Sequence, residues 1–289
     1  MQCETWKCYT TRIGYYVVAF VQLPRMVVCE SYAQDKFKKR QKLAIPLNAA
    51  TTRAPFSVTD LRRLYNDSDC ATDDFMELFS PPRLVPLFLA ENKITSISAD
   101  LLTGWNLADS KIQGFLFTLL KKRAPRVIML CPPCTVFSIF QHLNKAKRDP
   151  VAWETKWSNG LKLLDFAMRV AKIQVKAKRI FIFEHPVSAS SWTQRCVQEV
   201  LSMPRVGKAT FDQCRFHLRG GCGGLHQKRT TFMSNSQFVL DKFDKMYCSR
   251  DHKHEVIQGS FHGESRALAA SRYPPELCDA IVQASLKEM

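Results

Sequence analysis

Two cysteines flank a proline pair in RVIMLCPPCTVFSIFQ, residues 126–141, with apolar runs before and after them. Three chemistries use thiols placed in this way. A Cys-x-x-Cys after a strand can be a redox pair. It can be half of a zinc knuckle. It can also hold one nucleophilic thiol at a strand-to-loop corner, because proline fixes φ and stiffens the turn. The nucleophile reading needs an acid and a cation nearby. Glu184, in RIFIFEHP, can supply the acid, and Arg229, in HQKRTTFMSNS, the cation. The zinc reading needs a second ligand pair, for which the choices are Cys214 with Cys222, or Cys248, His252 and His254 in CSRDHKH. The second group is compact but has no matching pair. The reading therefore assigns no metal and keeps Cys248, His252 and His254 as the candidates. A small thioredoxin-like redox fold leaves Asp100, Glu184 and the basic charge without a role.

The elements around these residues alternate. Strands are predicted near 75–79, 94–99, 126–130, 179–184, 208–213 and 229–234. SKIQGFLFTLLKKR (110–123) has helical spacing, with Ile112, Phe115 and Leu119 on one face. Trp153, Trp157, Leu161, Leu164 and Met168 recur at helical spacing as core, and SWTQRCVQEVLSM (191–203) is a further helix. PPRLVPLFLAEN, from Pro81, reads as a turn with a short helix. Alternation of this kind predicts an α/β fold with a parallel sheet covered by helices. Ligands in such sheets sit beyond the carboxyl ends of the strands. Asp100, Cys134 and Glu184 each fall at or just past a strand end. Residues 1–72 read as a basic N-terminal extension, with a strand near 15–20, the run Lys36–Lys42 and a polar link, YNDSDCATDD. No internal repeat is present.

The chain has 289 residues, a hydrophobic fraction of 46% and a formal charge of +16. It can bury a large core, and its charge suggests a polyanionic partner, most simply nucleic acid. The eleven cysteines are odd in number and dispersed, which argues for reduced intracellular thiols rather than a disulfide framework. IGYYVVAFVQL, bracketed by Arg12 and Arg25, is too short to span a bilayer. The expected setting is intracellular, nuclear in a eukaryote, with no membrane.

Five segments, in order, resemble DNA cytosine-5 methyltransferases. ELFSPPR (77–83) resembles the family's opening strand, and CPPCTVFS (131–138) its nucleophile loop. FEHP (183–186) stands at its Glu-Asn-Val motif, and QKRTTF (227–232) resembles its Gln-x-Arg-x-Arg strand. RYPPELCDAIVQA (272–284) resembles its closing helix. The resemblance implies a Rossmann-like methyltransferase sheet over residues 73–289, with a small recognition insert at about 236–270. It implies S-adenosylmethionine as cofactor, bound around Phe79, Ser80, Asp100 and Pro132. Cys134 is then the thiol that adds to cytosine C6, Glu184 the group that protonates N3, and Arg229 the cation that serves the base or the acid. The base must be flipped out of a duplex. Lys145, Lys147 and Arg148 would meet the nucleic acid, DNA more than RNA, and Cys131 would be a buried strand residue without a catalytic role. The expected carrier is a mobile element or virus. The chain departs from the family pattern at Pro81–Pro82, at Thr231, at His185 and in lacking one strand–helix unit. Two other readings stand beside it: a catalytically inactive nucleic-acid-binding module on the same fold, and a CPPC thiol oxidoreductase.

Overall fold

The computed structural model describes residues 74–84, 87, 94, 96–142 and 148–289. The expectations for residues 1–72, for Lys145 and Lys147, and for most of the short helix after Pro82 lie outside these residues.

All six expected strands form and join one sheet: β1 (Phe75–Leu78), β2 (Ser96–Ala99), β3 (Val127–Leu130), β4 (Ile180–Pro186), β5 (Gly207–Asp212) and β6 (Arg229–Ser234). Their spatial order is β2-β1-β3-β4-β6-β5. The expectation of a wholly parallel sheet is corrected. β2, β1, β3 and β4 run parallel, but β6 is antiparallel to both β4 and β5. The reason lies in the link from Asp212 to Arg229. It is spent on a 3-10 turn at Gln213–Phe216 and an Arg219–Leu225 bridge, not on the crossover a parallel return requires.

Successive residues of a strand face opposite sides of a sheet, and this alternation divides the core in two. Met76, Leu78, Ile128, Leu130, Phe181, Phe183 and Met233 pack on the first face. There they meet α1 (Ser110–Arg123), α2 (Pro150–Lys176) and α3 (Arg195–Leu201). Phe75, Val127, Met129, Ile180, Ile182, Phe211 and Phe232 pack on the second face. A one-residue slip in any strand would exchange these rows. Burying each such side chain is worth about 1.5–3 kcal/mol, so the register is firmly set.

The helices start where their caps dictate. Asp109 accepts from Lys111 N–H at the head of α1, and Lys121, Lys122 and Arg123 sit favourably against the dipole at its end. Asp149 caps α2, with Pro150 in the first turn. The single helix expected over 191–203 is broken. A 3-10 turn at Ser190–Thr193 precedes α3, because Gln194 is extended. Trp192 Nε1 donates to the Pro186 carbonyl across 2.7 Å, which holds that turn against the end of β4. In the expected insert, α4 (Gln237–Phe243) puts Val239 and Phe243 into the second core. A short hairpin follows, β7 (Ser260–Phe261) and β8 (Glu264–Ser265), then α5 (Arg266–Ala269). α6 (Pro275–Leu286) closes the second face with Leu277 and Ile281.

The chain leaves β1 for β2 on one side and returns to pair β3 on the other. The strand order therefore reverses between β1 and β3, and the crevice beyond their carboxyl ends is where α/β sheets place ligands. Cys131 N–H donates to Leu78 O across 3.1 Å at this point, which brings Phe79–Arg83 beside the CPPC turn.

Candidate functional site at the carboxyl ends of the strands

Three contacts pin the turn that carries Cys134. His185 lies fully buried at the end of β4, with Nε2 3.0 Å from the Pro132 carbonyl and Nδ1 2.6 Å from Ser191 Oγ. A carbonyl only accepts, so Nε2 carries the proton and Nδ1 accepts from the Ser191 hydroxyl. Burial pushes this imidazole down to about 4, so it stays neutral. Phe137 enters the first core edge-on to Trp157, with ring centroids 5.3 Å apart. Gly160 of α2 lets the helix close on Val136, whose Cγ2 would lie 2.4 Å from any Cβ at that position. The departure at His185 thus has a structural role: the residue beside Glu184 ties the proline turn to the sheet.

Strand parity decides which groups meet. Glu184 lies opposite Phe232, on the second face. Lys228, four residues before Phe232, keeps that parity, and its Nζ lies 3.7 Å from Glu184 Oε1. Arg229 has the other parity. It forms a two-pronged bond to fully buried Asp212, both arms 2.8 Å, and its guanidinium covers the Tyr247 ring at 4.8 Å. Of the two roles expected for Arg229, the one beside Glu184 is corrected: the cation there is Lys228. Burial works to raise the Asp212 carboxyl, but Arg229, Cys248 N–H and Gln227 overcome it and hold the group below the ordinary carboxylate range.

Glu184 is buried, and its Oε1 is shielded from solvent and accepts no hydrogen bond. Cys134 is half-buried. Burial pushes its thiol up, the Glu184 charge pushes it further, and Lys228 opposes both. Cys134, Glu184 and Lys228 therefore act on one another. Cys131, expected within the strand, stands one position beyond β3. Its parity turns it to the second face, where Sγ meets Tyr273 Oη at 3.5 Å. Burial, then Glu184, drive the Cys131 thiol far above its normal range, the opposite of an activated redox thiol. Tyr273 also lies under the Arg83 guanidinium at 5.0 Å. Lys228, Tyr273 and Arg83 are the site residues that sequence reasoning missed. Counting parity from Phe232 was the one signal that pointed to Lys228.

The four expected cofactor residues separate into two pairs. Phe79, at φ 61°, turns the chain off β1 with its half-buried ring 6.0 Å from Phe166. Asp100 ends β2, and its Oδ1 accepts from Leu102 N–H as the cap of a 3-10 turn. Burial raises the Asp100 carboxyl against that bond. Ser80 and Pro132, by contrast, are buried as structural groups. Ser80 Oγ donates to the Pro81 carbonyl and its own carbonyl accepts from Ser98 Oγ, while Pro132 is held by His185. Glu77 sets the Pro81–Pro82 turn by accepting from Arg83 and Leu84 N–H, both 3.1 Å.

No family model matches this chain, and no curated protein matches it.

Of the basic group after the nucleophile turn, Arg148 is described. Its guanidinium lies 3.6 Å over the Trp153 ring and donates to Gln141 O. The three metal candidates do come together. Cys248 Sγ lies 3.5 Å from His252 Nε2 and 3.4 Å from His254 Nε2. Cys214 joins them from the end of β5, while its supposed partner Cys222 is exposed. Among the described residues, no helix is long and apolar enough to cross a membrane.

Proposed function

We propose that this edge of the sheet performs S-adenosylmethionine-dependent methyl transfer to C5 of cytosine in nucleic acid, with Cys134 as nucleophile and Glu184 as the acid on N3. The buried Oε1 of Glu184, which has no hydrogen bond of its own, carries the reading. An unbonded buried polar atom costs about 1–3 kcal/mol, and the exocyclic N4 amine of a flipped cytosine is a donor that would remove that cost.

The electrostatics of the pair supply a trigger. The Glu184 charge helps keep the Cys134 thiol protonated. A net transfer of that proton from Cys134 to Glu184 arms both groups at once. The thiolate then forms the S–C6 bond, the C5=C6 electron pair moves into C4=C5, the C4=N3 pair moves onto N3, and N3 takes the proton from Glu184. S-adenosylmethionine, when bound, supplies the methyl group that C5 takes. Loss of the C5 proton to solvent base lets the S–C6 bond break, Cys134 departs as thiolate, and N3 returns its proton to Glu184. Two residues fit the cofactor: the Asp100 carboxylate suits ribose hydroxyls, and the Phe79 ring suits adenine.

The deciding experiment is trapping on a 5-fluorocytosine oligonucleotide with cofactor. A covalent adduct should form with the wild-type chain and disappear in Cys134→Ser. Lys228→Met should slow it tenfold or more, about 1.4 kcal/mol of barrier, whereas Arg229→Met should leave its rate within a few-fold. Absence of any adduct, or one that survives Cys134→Ser, rules the reading out. The Pro81–Pro82 turn lacks two N–H donors, which favours a second reading: a nucleic-acid-binding module without methyl transfer. Calorimetry showing no binding at millimolar S-adenosylmethionine, with nucleic-acid binding intact, selects it.

A further inference from the structure

The structure assigns a closed zinc site to Cys214, Cys248, His252 and His254, a structural metal centre that ties the end of β5 to the loop before the β7–β8 hairpin. The four ligand atoms all lie within 4.8 Å of one another. The individual edges are 3.5 and 3.4 Å from Cys248 Sγ to the two imidazoles and 3.0 Å between His252 Nε2 and His254 Nε2. Zinc bonds of about 2.0–2.1 Å to nitrogen and 2.3 Å to sulfur imply tetrahedral edges of about 3.3–3.8 Å. The three edges among Cys248, His252 and His254 are already close to those values, and those to Cys214 are no longer than 4.8 Å.

Proton counting leaves a lone pair in the cluster for a cation. His252 Nδ1 lies 2.6 Å from the Asp251 carboxylate, which only accepts when ionised, so Nδ1 carries the proton. His252 Nε2 is then a bare lone pair 3.5 Å from Cys248 Sγ and 3.0 Å from His254 Nε2. A carboxylate behind a histidine is the usual outer support of a zinc ligand. Arg250 N–H donates to Cys248 Sγ across 3.2 Å, a bond that favours a thiolate. Two anchors fix the loop from outside: Cys248 N–H donates to Asp212, and the bridge Leu225–His254 continues as Glu255 N–H to Leu225 O. Two Cys and two His with all four positions filled describe a structural rather than a catalytic zinc site. Its stabilisation falls on the segment 248–254, which has no helix or strand of its own.

The test uses the full chain purified without chelators. Metal analysis should give about one zinc per chain. Stoichiometric zinc should be lost in Cys214→Ser and His254→Ala and kept in Cys222→Ser. Because ligand variants can fail to fold, two further measurements use folded protein. Cobalt(II) exchanged into the wild-type chain should give tetrahedral d–d bands with thiolate charge transfer, both abolished by added zinc. Asp251→Asn should weaken zinc about 10–100-fold while the chain stays folded. A wild-type chain that takes up neither metal, a cobalt spectrum without thiolate charge transfer, or full zinc retention in Cys214→Ser each overturns the assignment.

Discussion

Cys131 and Cys134 share a four-residue motif but occupy unlike surroundings. Cys131 touches Tyr273 on the second face, while Cys134 feels Glu184 and Lys228. Cys134→Ser should abolish adduct formation and methyl transfer, since a hydroxyl is a far poorer nucleophile than a partly ionised thiol. Nucleic-acid affinity should stay within a few-fold. Cys131→Ser should cost about 1 kcal/mol of stability and little activity. Equal loss from both, measured as single-turnover rates and binding curves, would restore the redox reading. His185 gives a second residue-level expectation. Its folded value of about 4 lies below the ordinary 6.5, so the folded chain binds fewer protons than the unfolded one. The stabilisation is complete above pH 6.5 and is lost as pH falls from 6.5 to about 4, amounting to about 3 kcal/mol. Denaturant titrations should show that drop in wild type and a much flatter profile in His185→Asn. Identical pH slopes in both would mean that another group is responsible.

At the scale of elements, the nucleophile turn depends on how closely α2 approaches it. Gly160→Ala gains about 1 kcal/mol of helix propensity. Its Cβ, however, would meet Val136 Cγ2 at 2.4 Å, and overpacking of this kind costs about 1–3 kcal/mol. Valine is stiff about χ1, so the clash should win and the denaturation midpoint should fall. Val136→Ala placed on top should recover most of the loss, which a thermal melt of the single and double variants reads directly. If the double variant is no more stable than Gly160→Ala alone, the contact does not set the turn. The same neighbourhood explains His185: a residue with two opposed ring nitrogens can bridge the Pro132 carbonyl and Ser191 at once, and thereby joins the turn to β4.

At the scale of the whole molecule, a formal charge of +16 should dominate association with a polyanion. Affinity for duplex DNA should fall linearly on a log–log plot against salt. Arg148 is held over Trp153, so its charge is placed. Reversing Lys145 and Lys147 should make the slope shallower by about 0.9 for each phosphate no longer neutralised, with little change in sequence preference. A salt-independent affinity, or an unaltered slope in the double reversal, would show that this segment does not meet the nucleic acid.

The sequence by itself determined the strands, the long helices and the apolar faces of those helices, because these follow from periodicities of 2 and 3.6 residues that any stretch carries locally. Phe75–Leu78, Val127–Leu130 and α1 at Ser110–Arg123 were legible in this way, as was the place of Asp100 just after β2; Glu184, expected at a strand end, lies inside β4, which runs on to Pro186. Only the tertiary structure decided what lies across those ends. The direction and register of β6 depend on what the Asp212–Arg229 link does in space, and they set Phe232 opposite Glu184 and so bring Lys228 rather than Arg229 to it. Tyr273 reaches Cys131 from 142 positions away, and Cys214 joins Cys248, His252 and His254 only because β5 ends beside their loop. Contacts of that separation leave no periodic trace in a single chain; they exist once burial of the two core faces has fixed the order of the strands.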